Sequence, residues 1–165
     1  MNIQFWGKFR TAAAAAVILI AAAAVLYMRQ GWYLTLRNAG TGQLYGRYRM
    51  REGDGFSVGF VHSVNKSPVT DFYEIKNHAI YVEKTVYYGF GAGVQTELED
   101  GQILSYGEDG SMIVSGFDQK MNDLTYFVGT VSDHTMKIRE GGPVSLRDLC
   151  GRNSRVRFSY EHFWK

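Results

Sequence analysis

The chain has 165 residues, 45% of them hydrophobic and 15% aromatic, with 18 Lys or Arg against 16 Asp or Glu. A balance this even, with no basic tract, excludes the strongly positive surface of a typical nucleic-acid-binding domain, and a lone cysteine, Cys150, excludes an intramolecular disulfide. Cys150 follows Leu149 in an apolar-leaning stretch and reads as a small buried hydrophobe rather than a reactive thiol.

The first predicted element is a helix. Residues Thr11 to Met28 carry no charge and stand behind Lys8 and Arg10, and the first thirty residues contain no Asp or Glu. As a helix this run measures about 27 Å, against roughly 30 Å for the hydrocarbon core of a bilayer. A cleavable signal peptide, with small-residue sites at Ala21 to Ala24, competes with an uncleaved signal anchor. The apolar run continues through Val25 to Met28, and Trp32-Tyr33 follow as interfacial aromatics, which favours the anchor. The positive-inside rule then leaves the N-terminus in the cytoplasm. The expected layout is a single-pass inner-membrane protein, with a transmembrane helix in residues 1–30 and a periplasmic or extracellular domain in residues 31–165. Removing Lys8, Arg10 and Arg29 leaves that domain 15 basic and 16 acidic residues.

From Trp32 onward the pattern is β. Runs rich in aromatic and β-branched residues read as strands at Trp32 to Leu36, Leu44 to Met50, Phe56 to His62, Phe72 to Ile75 and Ala79 to Tyr88. Further strands are expected at Gln102 to Tyr106, Met112 to Phe117, Leu124 to Val131, Thr135 to Ile138 and Arg155 to Tyr160. Between them Asn38 to Gly42, Glu52 to Gly55 and Gly107 to Gly110 place glycine beside Asp or Asn, where positive φ costs little. Pro143 to Leu149 is the one expected short helix. The fold class is all-β, a single sandwich or partly closed barrel of about ten strands after the N-terminal transmembrane helix.

Two stretches concentrate chemistry. Alternation of Phe56, Val58 and Phe60 delivers His62 to the end of its strand on the core side, and Ser63 to Ser67 must then turn before Pro68. Backbone N–H groups and hydroxyls converging there suit a small anion; a purely structural corner satisfies the same residues. Gly89, Gly91 and Gly93 permit a backbone nest for an anion, or simply a tight bend, and lack the Lys-Ser/Thr ending of a phosphate loop. Asn77 lies in the expected hairpin turn Lys76 to His78.

The stretches His62-Ser63-Val64, Lys66-Ser67-Pro68-Val69, Phe72-Tyr73-Glu74-Ile75 and Gly89-Phe90-Gly91-Ala92-Gly93 resemble an uncharacterised bacterial family of small exported proteins. Members are often encoded beside TRAP transporters of the TAXI class, which take up organic acids with an extracytoplasmic solute-binding protein. At Gln95 the chain departs from the proline common in that pattern. The resemblance implies a context and no activity.

Enzyme chemistry has a short parts list: Ser63 and Ser67 as nucleophiles, His62 and His134 as bases, Asp71, Glu74 and Asp133 as carboxylates. A serine next to a histidine in a strand points to the opposite face, and no Gly-x-Ser-x-Gly elbow occurs. The four histidines are scattered without metal-ligand spacing, and no cofactor motif occurs. Arg47, Arg49 and Arg51 at spacing two, like Arg155 and Arg157, form one-sided ladders suited to acidic proteins or lipid headgroups, or simply solvated. The expectation is a non-catalytic accessory of a TRAP-type transporter, binding its membrane subunit or solute-binding protein, with a carboxylate-binding module as the alternative. Contact residues are expected at His62, Ser63, Lys66, Ser67, Pro68, Tyr73, Glu74, Gly91, Ala92, Gly93, Arg47 and Arg49. The lipid bilayer is the other expected partner, and a small organic anion a further one.

Overall fold

The computed structural model describes residues 3–64, 66–89 and 98–164, apart from the side chains of residues 3–12 and 29. Two compact units arise, Met1–Gly31 with His162–Lys165 and Trp32–Glu161.

In the first unit, helix α1 spans Ile3–Arg29. Alanine, the strongest helix former, supplies half of the sixteen positions from Ala13 to Met28. All sixteen side chains are exposed, including Val17 to Ile20. Among the described residues no helix is long and apolar enough to cross a membrane, which corrects the expected transmembrane span. Half of the described side chains from Ala13 to Met28 are alanine, whose methyl offers far less apolar surface than a leucine or isoleucine side chain.

The second unit holds eleven strands among the described residues, in two sheets, with no closed barrel. The four-stranded sheet has β2 (Leu44–Arg49), β1 (Trp32–Asn38), β11 (Ser154–His162) and β8 (Thr125–Val128) side by side in that order. The seven-stranded sheet runs β10 (Val144–Ser145), β9 (His134–Ile138), β3 (Gly55–Val61), β4 (Pro68–Lys76), β5 (Ala79–Tyr87), β7 (Met112–Lys120) and β6 (Ile103–Tyr106). Helix α2, Leu146–Cys150, follows β10 directly, and the Ser145 hydroxyl caps it by accepting from the Asp148 N–H. The expected helix from Pro143 therefore starts three residues later, because Val144 and Ser145 first pair with Met136 and Thr135.

Alternation decides what each strand buries. Leu34, Leu36, Val128, Val156 and Phe158 of the four-stranded sheet share one core with Phe56, Val58, Ile75, Val82 and Met136 of the other. Phe56 and Phe158 stack across it, 5.8 Å apart and nearly parallel. Cys150 is buried with them, which pushes its thiol up to about 11.

Turn chemistry sets the register. Asn77 and His78 both hold positive φ, 51° and 56°, between the paired Lys76 and Ala79, the two-residue geometry that matches strand twist. The β4 hairpin is thus longer than its apolar run Phe72 to Ile75 implies. Leu124 to Val131 is the reverse case: only Thr125–Val128 pairs, and Gly129 begins a loop. In β7, Gly116 holds φ 82° where the pairing to β5 shifts, with the Gly101 carbonyl against the place of a Cβ. Gly116→Ala is expected to destabilise the protein by more than about 1 kcal/mol, since it meets both the unfavourable φ and backbone rather than a movable side chain. An unchanged midpoint in urea denaturation would contradict this.

Candidate functional site

The site grows from the end of β3. Pairing with β4 closes at Val61 and Pro68, and the His62 N–H donates to the Ser67 carbonyl at 2.9 Å. The chain reverses there because the Lys66 N–H donates to the His62 carbonyl at 3.0 Å, with Lys66 in the left-handed region at φ 55°. The turn expected between Ser63 and Ser67 is thus formed, with Lys66 as its left-handed residue. The Val64 N–H donates to Nδ1 of His62 at 3.3 Å. Three N–H groups of the corner are therefore spent inside the turn, so the anion-gathering arrangement is not built from them.

Instead the corner borders a cleft of about 480 Å³, formed with the other sheet. Phe60, Val61, His62 and Ser63 line one side; Phe127, the Gly129 to Ser132 loop and Asn153 line another, with His134 between. Three lining side chains are apolar and exposed, Val61, Phe127 and Val131, the last at 85%, and exposed Val64 follows Ser63 in the chain. His62 and Ser63 share the cleft because β3 ends at Val61, so strand alternation no longer separates them.

The loop is held by α2 and its neighbours. Arg147 donates to the Val131 carbonyl at 3.0 Å and Arg152 to the Thr130 carbonyl at 3.3 Å. Asp133 accepts from the Ser145 hydroxyl at 2.6 Å and the Arg147 N–H at 3.0 Å. Burial alone raises the Asp133 carboxyl, but these hydrogen bonds, with the Arg147 charge, bring it below the usual carboxylate range. Asp133 is thereby a structural acceptor.

Behind the cleft lies a polar tie between the sheets. Tyr126 of β8 donates to Asp71 of β4 at 2.5 Å, the Tyr73 and Tyr126 hydroxyls lie 2.6 Å apart, and Thr85 donates to the other Asp71 oxygen at 2.8 Å. Burial, then the Asp71 charge, pushes both tyrosines far up, so they remain protonated donors. His134 stacks on Phe60 at 5.0 Å and meets Tyr126 edge-on at 5.8 Å; its buried Nδ1 makes no hydrogen bond. Burial lowers its imidazole, against the pull of Asp133.

The other sequence candidates scatter. Lys66 and Pro68 are exposed at the corner, and Ser67 lies against Gly89, whose Cβ position is 3.5 Å from the Ser67 hydroxyl. The glycine loop therefore leaves β5 at the same end of the sheet as the corner; Gly91, Ala92 and Gly93 lie outside the described residues. Tyr73 is a correction: it is buried between the sheets at 5% exposure and offers a partner no surface. Glu74 stands opposite Gly55, away from the corner. The Glu83 carboxyl is raised, by desolvation first and then by Glu74. Arg47 and Arg49 border a separate cavity of about 400 Å³ with Tyr48 and Arg139. Arg51 has left β2, and its N–H donates to Asp54 at 2.8 Å. Phe127, Val131 and Asn153 escape sequence reasoning; an aromatic at an outward position of β8 is the one visible signal.

Two outcomes follow. Tyr126→Phe strands Asp71 and the Tyr73 hydroxyl, and should cost about 1–3 kcal/mol in chemical denaturation; a neutral result would show that the tie carries no weight. For His134 the folded imidazole lies below the unfolded value, so the unfolded chain takes up the proton first as pH falls. Stability from this group is complete above about pH 6.5 and declines as pH drops through the unfolded value toward the folded one. The wild type should therefore lose stability between about pH 7 and 5 more steeply than His134→Gln. Parallel slopes would refute it.

No curated protein and no solved structure matches the chain. A family model described as Domain of unknown function (DUF1850) matches residues 56–142, which include β3, the His62 corner, the β4–β5 hairpin and β9. That match covers slightly more than half of the chain, which therefore belongs to the DUF1850 family.

Proposed function

We propose that the protein is a non-catalytic accessory held at the inner membrane by α1, whose extracytoplasmic β domain presents the His62 corner to a TRAP-type transporter of the TAXI class, at its membrane subunit or its solute-binding protein. The observation that carries this reading is the exposed apolar side chains of Val61, Phe127 and Val131 lining one cleft, with exposed Val64 next to its Ser63. Exposed apolar side chains clustered at a shaped opening mark an interaction site, and α2 with Arg147 and Arg152 supports the loop that carries Val131. The exposed apolar side chains of α1 support attachment along the bilayer surface, for the same reason. The transporter enters through the family resemblance at His62 to Gly93.

A second reading is favoured by the size of the cleft and by the His62, Ser63 and Asn153 side chains in it: direct binding of a small organic carboxylate.

Affinity purification of the full-length protein from detergent-solubilised membranes tests the first reading. Transporter subunits should co-purify with the wild type and be lost from Val64→Asp/Val131→Asp at unchanged melting temperature, because both side chains are exposed and touch no core. Equal recovery with that variant, or no transporter subunit with the wild type, sinks the proposal. A melting-temperature rise with an organic acid, absent subunit recovery, transfers the cleft to the second reading.

A further inference from the structure

The two arginine ladders of the sequence meet on one surface. In the four-stranded sheet Leu34, Leu36, Val156 and Phe158 point into the core, so the alternate positions of β1 and β11 point outward. Register carries this across the sheet: Arg49 pairs with Tyr33, Arg47 with Thr35, Arg155 with Phe127 and Arg157 with Thr125. Strands β1 and β11 are neighbours, and the Ala39 N–H donates to the Arg155 carbonyl at 2.8 Å. The outer face thus holds Arg37, Arg47, Arg49, Arg155 and Arg157. Among the described residues Glu161 lies 3.2 Å from Arg37 and 4.0 Å from Arg47, and Asp123 reaches Arg157 from beyond β8 at 3.0 Å. Setting those five arginines and Glu161 aside leaves ten basic against fifteen acidic residues in the rest of residues 31–165. A domain that is nearly neutral in sum is therefore strongly polarised.

We propose that this outer face docks on an anionic phospholipid surface. Guanidinium forks suit phosphate, and each basic residue near an anionic bilayer contributes on the order of 1 kcal/mol. Three observations select a bilayer over an acidic protein. The charges spread over three adjacent strands, β2, β1 and β11, which matches a planar array of headgroups. Only Gln30 and Gly31 separate α1 from β1, an interior strand of this same sheet. Tyr33 near the start of that strand and Phe127, 57% exposed, lie on the outer face and supply aromatics of the kind that sit at headgroup level. The inference rests on the reading of α1 as the membrane-held element.

The experiment compares the full chain, diluted from detergent, on vesicles of phosphatidylcholine alone and on vesicles with about 30 mol% phosphatidylglycerol, a content that supplies anionic headgroups for the arginines. Helix α1 predicts binding to both. The face predicts an additional gain of about tenfold or more on the anionic vesicles, lost near 0.5 M salt and in Arg49→Gln/Arg155→Gln. Equal binding to the two vesicles overturns the docking face and leaves α1 standing; binding to the anionic vesicles alone keeps the face and removes α1. No binding to either overturns the proposal. Retention on a polyglutamate matrix without a lipid gain assigns the face to an acidic protein and overturns it as well. Should the variant fail to fold, phenylglyoxal modification of the wild type decides: anionic vesicles must protect Arg49 and Arg155, and unprotected arginines overturn the proposal.

Discussion

A carboxylate placed between two β-sheets has to be met by donors, because an ionised group withdrawn from water costs far more than any neighbouring packing returns. Asp71 is met by Thr85 from its own sheet and by Tyr126 from the other, with Tyr73 behind. This tie fixes more than its own atoms. Holding Tyr126 inward fixes the pleat of β8, which turns Phe127 outward and launches the Gly129 to Ser132 loop over the end of β3. The cleft and its apolar rim are consequences of that one inward tyrosine. The network is fully protonated at its tyrosines, so it acts as a fixed set of dipoles rather than a proton relay.

How much of this was legible in the sequence depends on the range of the determining interaction. Strands with an alternating apolar face are found where expected, and so is the Asn77-His78 turn, because pleat and turn chemistry are local. Strand β10 was not legible: Val144 and Ser145 form a strand only because Met136 and Thr135 are there to pair with them. The length of β4 beyond its apolar run has the same origin. Tyr73 reads from its motif as a surface contact, yet its side is chosen by Asp71 and Tyr126, which lie 2 and 53 residues away. The cleft needs residues from three separate stretches of chain, 60–63, 127–134 and 153, and only the first carries a motif. His62 and Ser63 were found, while Phe127, Val131 and Asn153 were not.

The two surface features differ in their physics, and that bears on what each can recognise. At the corner the N–H groups of His62, Val64 and Lys66 are consumed by the turn itself and do not gather an anion, while Val61, Phe127 and Val131 face solvent in the cleft beside them. Recognition there relies on area and shape, which salt hardly changes. On the outer face of the four-stranded sheet the alternation that buries Leu34 and Phe158 necessarily sends the arginines to the other side. Recognition there relies on charge, which is long-ranged and screened.

Neutrality of the whole domain is then a poor guide to its surface. Arg37 and Arg47 both reach Glu161, which places two half-buried guanidiniums on one carboxylate. Such a cluster persists in a folded protein only if solvent, counterions or a partner supply the missing negative charge. A bilayer supplies it most economically, because a planar surface answers five arginines at once, whereas a protein partner needs a carboxylate shaped to each.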